Sequence, residues 1–245
     1  MYITKEGFAV MIRYIRESGK TTRRQRLLGA VIFTAIAWWL ASLWACAGPM
    51  LYSVDMRYTP ATAMSETNTS GKKLILTVAA FNDARKVNDT AVIGRVITSK
   101  EREIPVVPKY VRPGKSVSEG IRKHLTDAGY NVRPGMPDWN VRNETIDPAW
   151  GDMLIGGTIE KLEIICRKKM PIREYAANVK LSVAIAHVKE SKIRYHITVS
   201  STPSVKDLRF SETMIEEVIN DAVTTAITKI FDNQEWREKL HTLSE

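Results

Sequence analysis

The sequence predicts an α+β fold: a mixed, mainly antiparallel sheet with two helices packed on one face, preceded by a signal or anchor helix. Three observations lead to this prediction. Two stretches within residues 179–200 alternate apolar and polar side chains with period two, which is typical of antiparallel strands with one covered face. Two other stretches, in the middle and near the end of the chain, repeat apolar residues at helical spacing. An uncharged apolar run occupies residues 27–45.

Composition and charge exclude several classes of protein. Of the 245 residues, 44% are hydrophobic and 26% are charged, so the chain is neither disordered nor a polytopic membrane protein. The net charge is +9, but residues 1–45 hold seven basic and two acidic side chains and carry more than half of it. The remaining charges are interspersed and form no basic patch with aromatic residues between, so we expect no nucleic acid partner.

The head of the chain predicts export and lipidation. A basic segment precedes the apolar run 27–45, which is the pattern of a signal peptide over residues 1–45. The run ends in Leu43-Trp44-Ala45-Cys46, which resembles a bacterial lipobox. That resemblance implies cleavage between Ala45 and Cys46 and acylation of Cys46, for example with palmitate. Ala47 stands where an inner-membrane retention signal would place Asp, which implies the outer membrane.

Two alternatives remain open at this end of the chain. The nineteen residues 27–45 are long enough to span a bilayer, so an uncleaved single-pass anchor in the inner membrane is the rival interpretation. Met11 is an alternative start to Met1, and it would leave a basic segment of more usual length. Both interpretations of the anchor place the rest of the chain in the periplasm.

Residues 46–71, which start at the lipidated Cys, are predicted to be a flexible linker because residues 59–71 are small, polar and aperiodic. The periplasmic domain, an α/β sandwich, is predicted over residues 72–245. It opens with three strands and a helix. A capping box of Ser116 and Glu119 predicts the start of the helix, and Gly129 predicts its end. The strands are expected at 74–81, 91–98 and 104–110, and a short one follows the helix at 130–132.

A long surface loop, 133–150, separates this half from the rest of the domain. Three strands are then expected at 153–166, 179–186 and 193–200, the first with a bulge at Gly156-Gly157. Ser211 predicts the start of the longest helix, and a short helix is expected at Asn233–Leu240.

Four residues are candidates for binding. Asp83 and Arg85 follow the first strand of the domain, and they indicate either a site at a strand end or a turn held by the Asp side chain. Trp139 and Trp150 lie on the long loop, where aromatic side chains serve either as contacts for a partner or as packing anchors.

The sequence indicates no enzyme. It contains none of the nucleophile, phosphate-loop or dinucleotide motifs, and its four histidines are not at ligand spacing, so no metal or cofactor is expected. Cys166 lies in an apolar strand and is predicted to be a buried thiol. An envelope hydrolase, the rival, needs a polar cluster of Asp83, Arg85 and His187.

Several segments resemble the YajG-like lipoproteins over residues 72–240. They are the Cys46 lipobox, Phe81–Arg85 with Ile93-Gly94 after it, the helix that ends in Ala128-Gly129-Tyr130-Asn131-Val132, Asn178–His187 and Ile219–Leu240. The resemblance implies an outer-membrane lipoprotein with an α/β sandwich and no known catalytic residues.

The expected function is therefore a non-enzymatic, lipid-anchored envelope module that binds a protein partner in the periplasm. The alternative is an auxiliary lipoprotein of an ABC-type lipid or solute transporter.

Overall fold

The computed structural model describes residues 51–59 and 74–242, which belong to one compact unit. Helices and strands occur both in the N-terminal half and in the C-terminal half of this unit. The strands are β1 (Tyr52–Val54), β2 (Ile75–Val78), β3 (Asn82–Asp83), β4 (Gly94–Ile97), β5 (Glu103–Pro108), β6 (Asn131–Val132), β7 (Met153–Lys168), β8 (Arg173–His187), β9 (Lys192–Ser201) and β10 (Ser204–Asp207). The helices are α1 (Pro113–Asp127), α2 (Glu212–Asp232) and α3 (Gln234–Thr242).

The long strand β7 organises the sheet. One of its edges pairs with β8 in an antiparallel ladder over its whole length. The other edge pairs in parallel with β2, β3 and β4 in succession. Beyond these, β8 carries β9 and β10, β4 carries β5 and then β1, and β2 carries β6. The sheet is mixed, with its longest ladders antiparallel, and the predicted α+β class is confirmed.

The two faces of the sheet are covered differently. Met153 and Ile155 of β7 pack in a large core with buried residues of all three helices. Leu154, between them, points to the other face and joins a smaller cluster formed mainly with the loop that follows β6. Alternate residues of a strand face opposite sides, so a strand buried on both faces reads as a continuous apolar run.

The helix predicted at Asn233–Leu240 corresponds to α3.

The predicted start of α1 is wrong and its predicted end is right. The helix begins at Pro113 after Arg112, and no side chain caps it, because proline at the first turn needs no N–H partner. The capping box of Ser116 and Glu119 therefore does not form. At the other end, Gly129 has φ +87° and Tyr130 N–H bonds to the carbonyl of Leu125, which closes a Schellman motif.

The glycine pair in β7 is not a bulge. The β7–β8 register runs unbroken through Gly156 and Gly157 and shifts instead between Ile159 and Lys161. The glycines make room for aromatic rings on the two faces of the sheet. A Cβ on Gly156 would lie 2.7 Å from the Trp139 ring, and one on Gly157 would lie 2.8 Å from the Phe81 ring.

The predicted linker is wrong for residues 51–59. Tyr52, Val54 and Met56 are buried, and β1 pairs in parallel with β5. Beyond β1, the chain runs along α2, where side chains four residues apart hold its backbone. The three pairs are Asp55 N–H with Glu216, Arg57 N–H with Asn220, and Thr59 N–H with Thr224. The chain therefore joins the fold about twenty residues earlier than its composition indicates.

The remaining N-terminal predictions, including the signal peptide and Ala45-Cys46, lie outside the described residues. Among the helices that are described, none is both long and apolar enough to cross a membrane.

Candidate interaction surface

Asp83 and Arg85 form a pair at the side of β7. The side chain of Arg85 is only 3% exposed and uses all five of its N–H groups. Nε and Nη2 donate to the two carboxylate oxygens of Asp83 at 2.8 and 2.7 Å. The other donations go to the carbonyls of Val92, Leu162 and Thr90. The pair fastens a loop to the sheet, and Arg85 has no N–H group left for a ligand.

The environment of Asp83 favours its charged form. Partial burial alone would raise the pKa of its carboxyl group. The hydrogen bonds from the Arg85 side chain and backbone, together with the charge of Arg85, outweigh burial and hold the pKa of Asp83 below its ordinary value. Of the two interpretations left open by the sequence, the geometry therefore favours a turn with an Arg partner.

The two loop tryptophans differ in exposure. Trp139 is 1% exposed, and its ring packs in the small cluster on the face opposite the helices. Its Nε1–H donates to the carbonyl of Arg142 at 3.0 Å. Trp150 is half-buried at the edge of the same cluster. Trp139 is thus a packing anchor rather than a contact for a partner.

The polar cluster that a hydrolase needs does not assemble. Asp83 pairs with Ile159 of β7, whereas His187 lies opposite Met153. Six residues of strand, about 20 Å, separate these two levels of the sheet. His196 also lies away from His187, since it pairs with Ala184. Over residues 51–59 and 74–242, no group of three His, Cys, Asp or Glu side chains is placed to hold a metal ion.

Cys166 is a buried thiol, as predicted. It lies on the helix face of β7 and is fully covered. Burial raises the pKa of Cys166 to about 11, against opposing effects from Lys168, Tyr175 and Arg173. The thiol is therefore protonated at neutral pH and is a poor nucleophile.

His124 is a second buried titratable group. Its ring stacks on Phe231 with centroids 4.0 Å apart, and its Nδ1 lies 2.7 Å from the Tyr58 hydroxyl. Burial lowers the pKa of His124, although Asp232 and Asp127 partly oppose this. The neutral ring joins α1, α2 and the segment after β1 in one packed layer.

Two open grooves flank α1, with volumes of about 520 and 620 Å³. Glu119 and Arg122 line both grooves, and their side chains bind each other at 2.5 Å across one turn of the helix. Both grooves are lined by acidic and basic side chains together. Neither contains a nucleophile beside a base.

Among the described strands that pair with a single neighbour, β9 is the longest, with ten residues. Among the described strands, β9 pairs only with β8. Side chains cap its outer edge at two points: Asn143 accepts from the N–H of Ile193 at 2.8 Å, and Lys229 donates to the carbonyl of Ser200 at 2.8 Å. In an antiparallel ladder, alternate residues direct their N–H and C=O groups outward. Ile193 and Ser200 are seven positions apart, but β9 has one extra residue, Arg194, where its register on β8 shifts. Both caps therefore identify the same alternation, and His196 and Thr198 present outward groups between them.

Sequence reasoning missed this edge. The alternation of β9 predicts a strand, but it does not show which neighbours the strand has. One signal was present in the sequence: Pro203 interrupts the edge between β9 and the unpredicted strand β10, and proline is found in sheets mainly at edges.

Comparisons with known proteins identify no family. No family model and no curated protein matches the sequence. A Xanthomonas campestris protein of the family model DUF330 has a TM-score of 0.47 at 13% identity, over 74% of this chain and 92% of that chain. Lipoprotein GNA1162 from Neisseria meningitidis has a TM-score of 0.36 at 12% identity, over 65% and 99%. The PelC dodecamer from Paraburkholderia phytofirmans has a TM-score of 0.36 at 13% identity, over 71% and 94%. At these scores the similarity carries no functional conclusion, and the resemblance to the YajG-like lipoproteins stays a prediction.

Proposed function

We propose that this protein is a non-enzymatic lipoprotein of the bacterial envelope, held in the outer membrane by Cys46, whose domain binds an extended segment of an envelope protein along β9. The observation that supports the binding role is the open edge between the Asn143 and Lys229 caps. Backbone groups that face outward from an edge strand pair with another extended chain, which is the basis of strand addition.

The chemistry of the edge indicates the kind of segment that fits. Its outward groups are the backbone N–H and C=O of His196 and Thr198, so they recognise another backbone rather than a particular side chain. Arg194, His196 and Thr198 are exposed beside the edge, and Tyr195 and Ile197 are half-buried toward the helices. A partner strand with polar residues on one face and apolar residues on the other matches this arrangement.

Lipidation of Cys46 is tested by metabolic labelling with palmitate. The wild-type chain is expected to incorporate label and to lose the mass of residues 1–45, whereas Cys46→Ser incorporates none, because the thioether requires the thiol. The membranes are then separated, and the wild-type protein is expected with the outer membrane. A wild-type chain that is neither labelled nor shortened would establish the uncleaved anchor instead.

Binding along β9 is tested by site-specific photo-crosslinking in cells. A crosslinking residue at Thr198 is expected to give a discrete protein adduct, and one at Thr126, an exposed threonine on α1, is expected to give none. His196→Pro removes one outward N–H and is expected to abolish the Thr198 adduct. His196→Ala keeps that N–H and should retain the adduct.

Two results would contradict the edge proposal. One is an adduct that survives His196→Pro in a chain shown by circular dichroism to be folded. The other is the absence of any adduct at Thr198 in cells where the protein is lipidated, which would leave the anchor established and the binding surface wrong.

A further inference from the structure

One end of the sheet carries an unusual surface, which we call the basic tip and define as residues 167–173 and 206–209. Three strands end there side by side. Lys168 of β7 pairs with Arg173 of β8, and Arg173 pairs with Asp207 of β10. The residues beyond these pairs therefore project together from the end of the sheet.

The basic tip exposes large apolar side chains. Met170 is 77% exposed, Leu208 is 71% exposed and Ile172 is 46% exposed. Arg173 holds the turn that presents them, since its Nη1 donates to the carbonyls of Lys169 and Pro171. Apolar side chains held in water by a fixed turn cost hydration free energy, and they commonly mark a contact surface.

Basic side chains share the two segments with these apolar residues. The two segments contain six of them and one acidic residue, Asp207. Lys168 is engaged inside the fold, with its Nζ 3.1 Å from the Tyr52 hydroxyl and over the Phe210 ring. Four of the others are exposed to solvent: Arg167, Lys169, Lys206 and Arg209. Apolar side chains next to exposed cations are complementary to a layer of anionic headgroups over hydrocarbon.

The chain enters the fold at the same end. The pairing of Tyr52 with Val106, of Val106 with Gly94 and of Gly94 with Ile164 sets β1 beside the last third of β7. β7 runs toward the basic tip, and β4 runs parallel to it. β5 is antiparallel to β4, and β1 is parallel to β5, so β1 runs away from the tip. The chain before Tyr52 therefore comes from the side of the basic tip. Leu51 follows Cys46 by five positions, and five extended residues reach at most about 18 Å. An anchor at Cys46 therefore holds this end of the domain close to the bilayer.

We propose that the basic tip docks on an anionic phospholipid surface, with Met170, Ile172 and Leu208 at the boundary between headgroups and acyl chains. The inference rests on the proposed function only in that a membrane anchor precedes Leu51. Docking fixes the orientation of the domain, so that β9 extends away from the bilayer and its edge is accessible to a partner.

The test uses the full chain with Cys46→Ser, reconstituted in vesicles by its apolar segment 27–45, so the result does not depend on lipidation. Met170→Cys carries a fluorophore, and the lipids carry a nitroxide at the headgroup. Lys192→Cys is the control position, since Lys192 of β9 pairs with His187 at the far end of β8, about 45 Å away. Cys166 is buried and does not compete for the label.

With phosphatidylglycerol present, we expect strong quenching at position 170 and little at position 192. Each basic side chain near an anionic surface contributes about fivefold to the docking equilibrium, so Lys169→Glu with Lys206→Glu is expected to lower it by at least about 25-fold. Raised salt acts in the same direction. The control pair Lys86→Glu with Lys161→Glu, both exposed and outside the basic tip, should have little effect.

Three results would overturn the proposal. They are equal quenching at both positions, quenching at 170 that persists in pure phosphatidylcholine, and quenching that the tip charge reversals leave unchanged. A failure here together with successful palmitate labelling would leave the lipid anchor intact and identify the basic tip as a surface for something other than lipid.

Discussion

Arg85→Met is expected to destabilise the fold by about 3–5 kcal/mol, the usual cost of removing one partner from a buried charge pair. Methionine retains much of the side-chain volume but supplies none of the five N–H donors. The carbonyls of Val92, Leu162 and Thr90 then lose their donor, and the Asp83 carboxylate loses its cation. Urea unfolding of the two chains measures the difference.

Arg95→Met is the matched control for this change. Arg95 lies on β4 and contacts Glu103 and Glu163, but all three side chains are more than 40% exposed. Exposed ion pairs contribute up to about 1 kcal/mol, so the control should unfold near the wild-type midpoint. Equal losses in the two variants would show that the Asp83–Arg85 pair is not the fastener that its geometry indicates.

The same pair has a signature in acid. Because the pKa of Asp83 is lowered in the folded state, its stabilisation is present above the carboxyl pKa of the unfolded chain. It is lost as the pH falls from that value through the folded pKa. The Arg85→Met chain should therefore show a shallower loss of stability over that acidic range than the wild type.

Trp139→Ala is expected to cost about 3–5 kcal/mol, as for a fully buried aromatic side chain. The ring fills the space above Gly156 and Ala79 on the face opposite the helices. Alanine leaves a cavity there and removes the donor to the carbonyl of Arg142. The free energy of unfolding from urea titration, with each variant at the same pH, measures the effect.

Trp150→Ala is the control from the same loop. This ring is half-buried and only borders the cluster, so we expect a loss nearer about 1 kcal/mol. A Trp139 variant as stable as the Trp150 variant would mean that the loop does not depend on its buried ring. It would also reopen the sequence-based interpretation of Trp139 as a contact for a partner.

Local signals explain what sequence reasoning predicted correctly. The alternation in β8, and in β9 from Tyr195 onward, follows from the period of a strand, whereas a register shift turns Ile193 to the opposite face. The end of α1 at Gly129 follows from the positive φ that glycine tolerates, and Ser211 caps α2 by accepting from the N–H of Met214. Each of these features depends on residues that are close together in the sequence.

The errors arose where distant segments decide the structure. β1 has only three residues and is held by β5. The segment after it is held by Glu216, Asn220 and Thr224, which lie more than 160 positions away. Gly156 and Gly157 were predicted to form a bulge, whereas their actual role is to leave space for the rings of Trp139 and Phe81. That role is not visible in the local sequence, because both rings come from other segments of the chain.

The sequence by itself determined the α+β class, most strands and helices, and the prediction of an anchor before the domain, because these depend on side-chain periodicity and on short contiguous motifs. Only the tertiary structure decided that Arg85 and Trp139 are internal, that the edge of β9 is open, and that Met170 and Leu208 share one end of the sheet. Each of these depends on which segments meet in space, and strand order and packing are set by contacts among residues far apart in the chain.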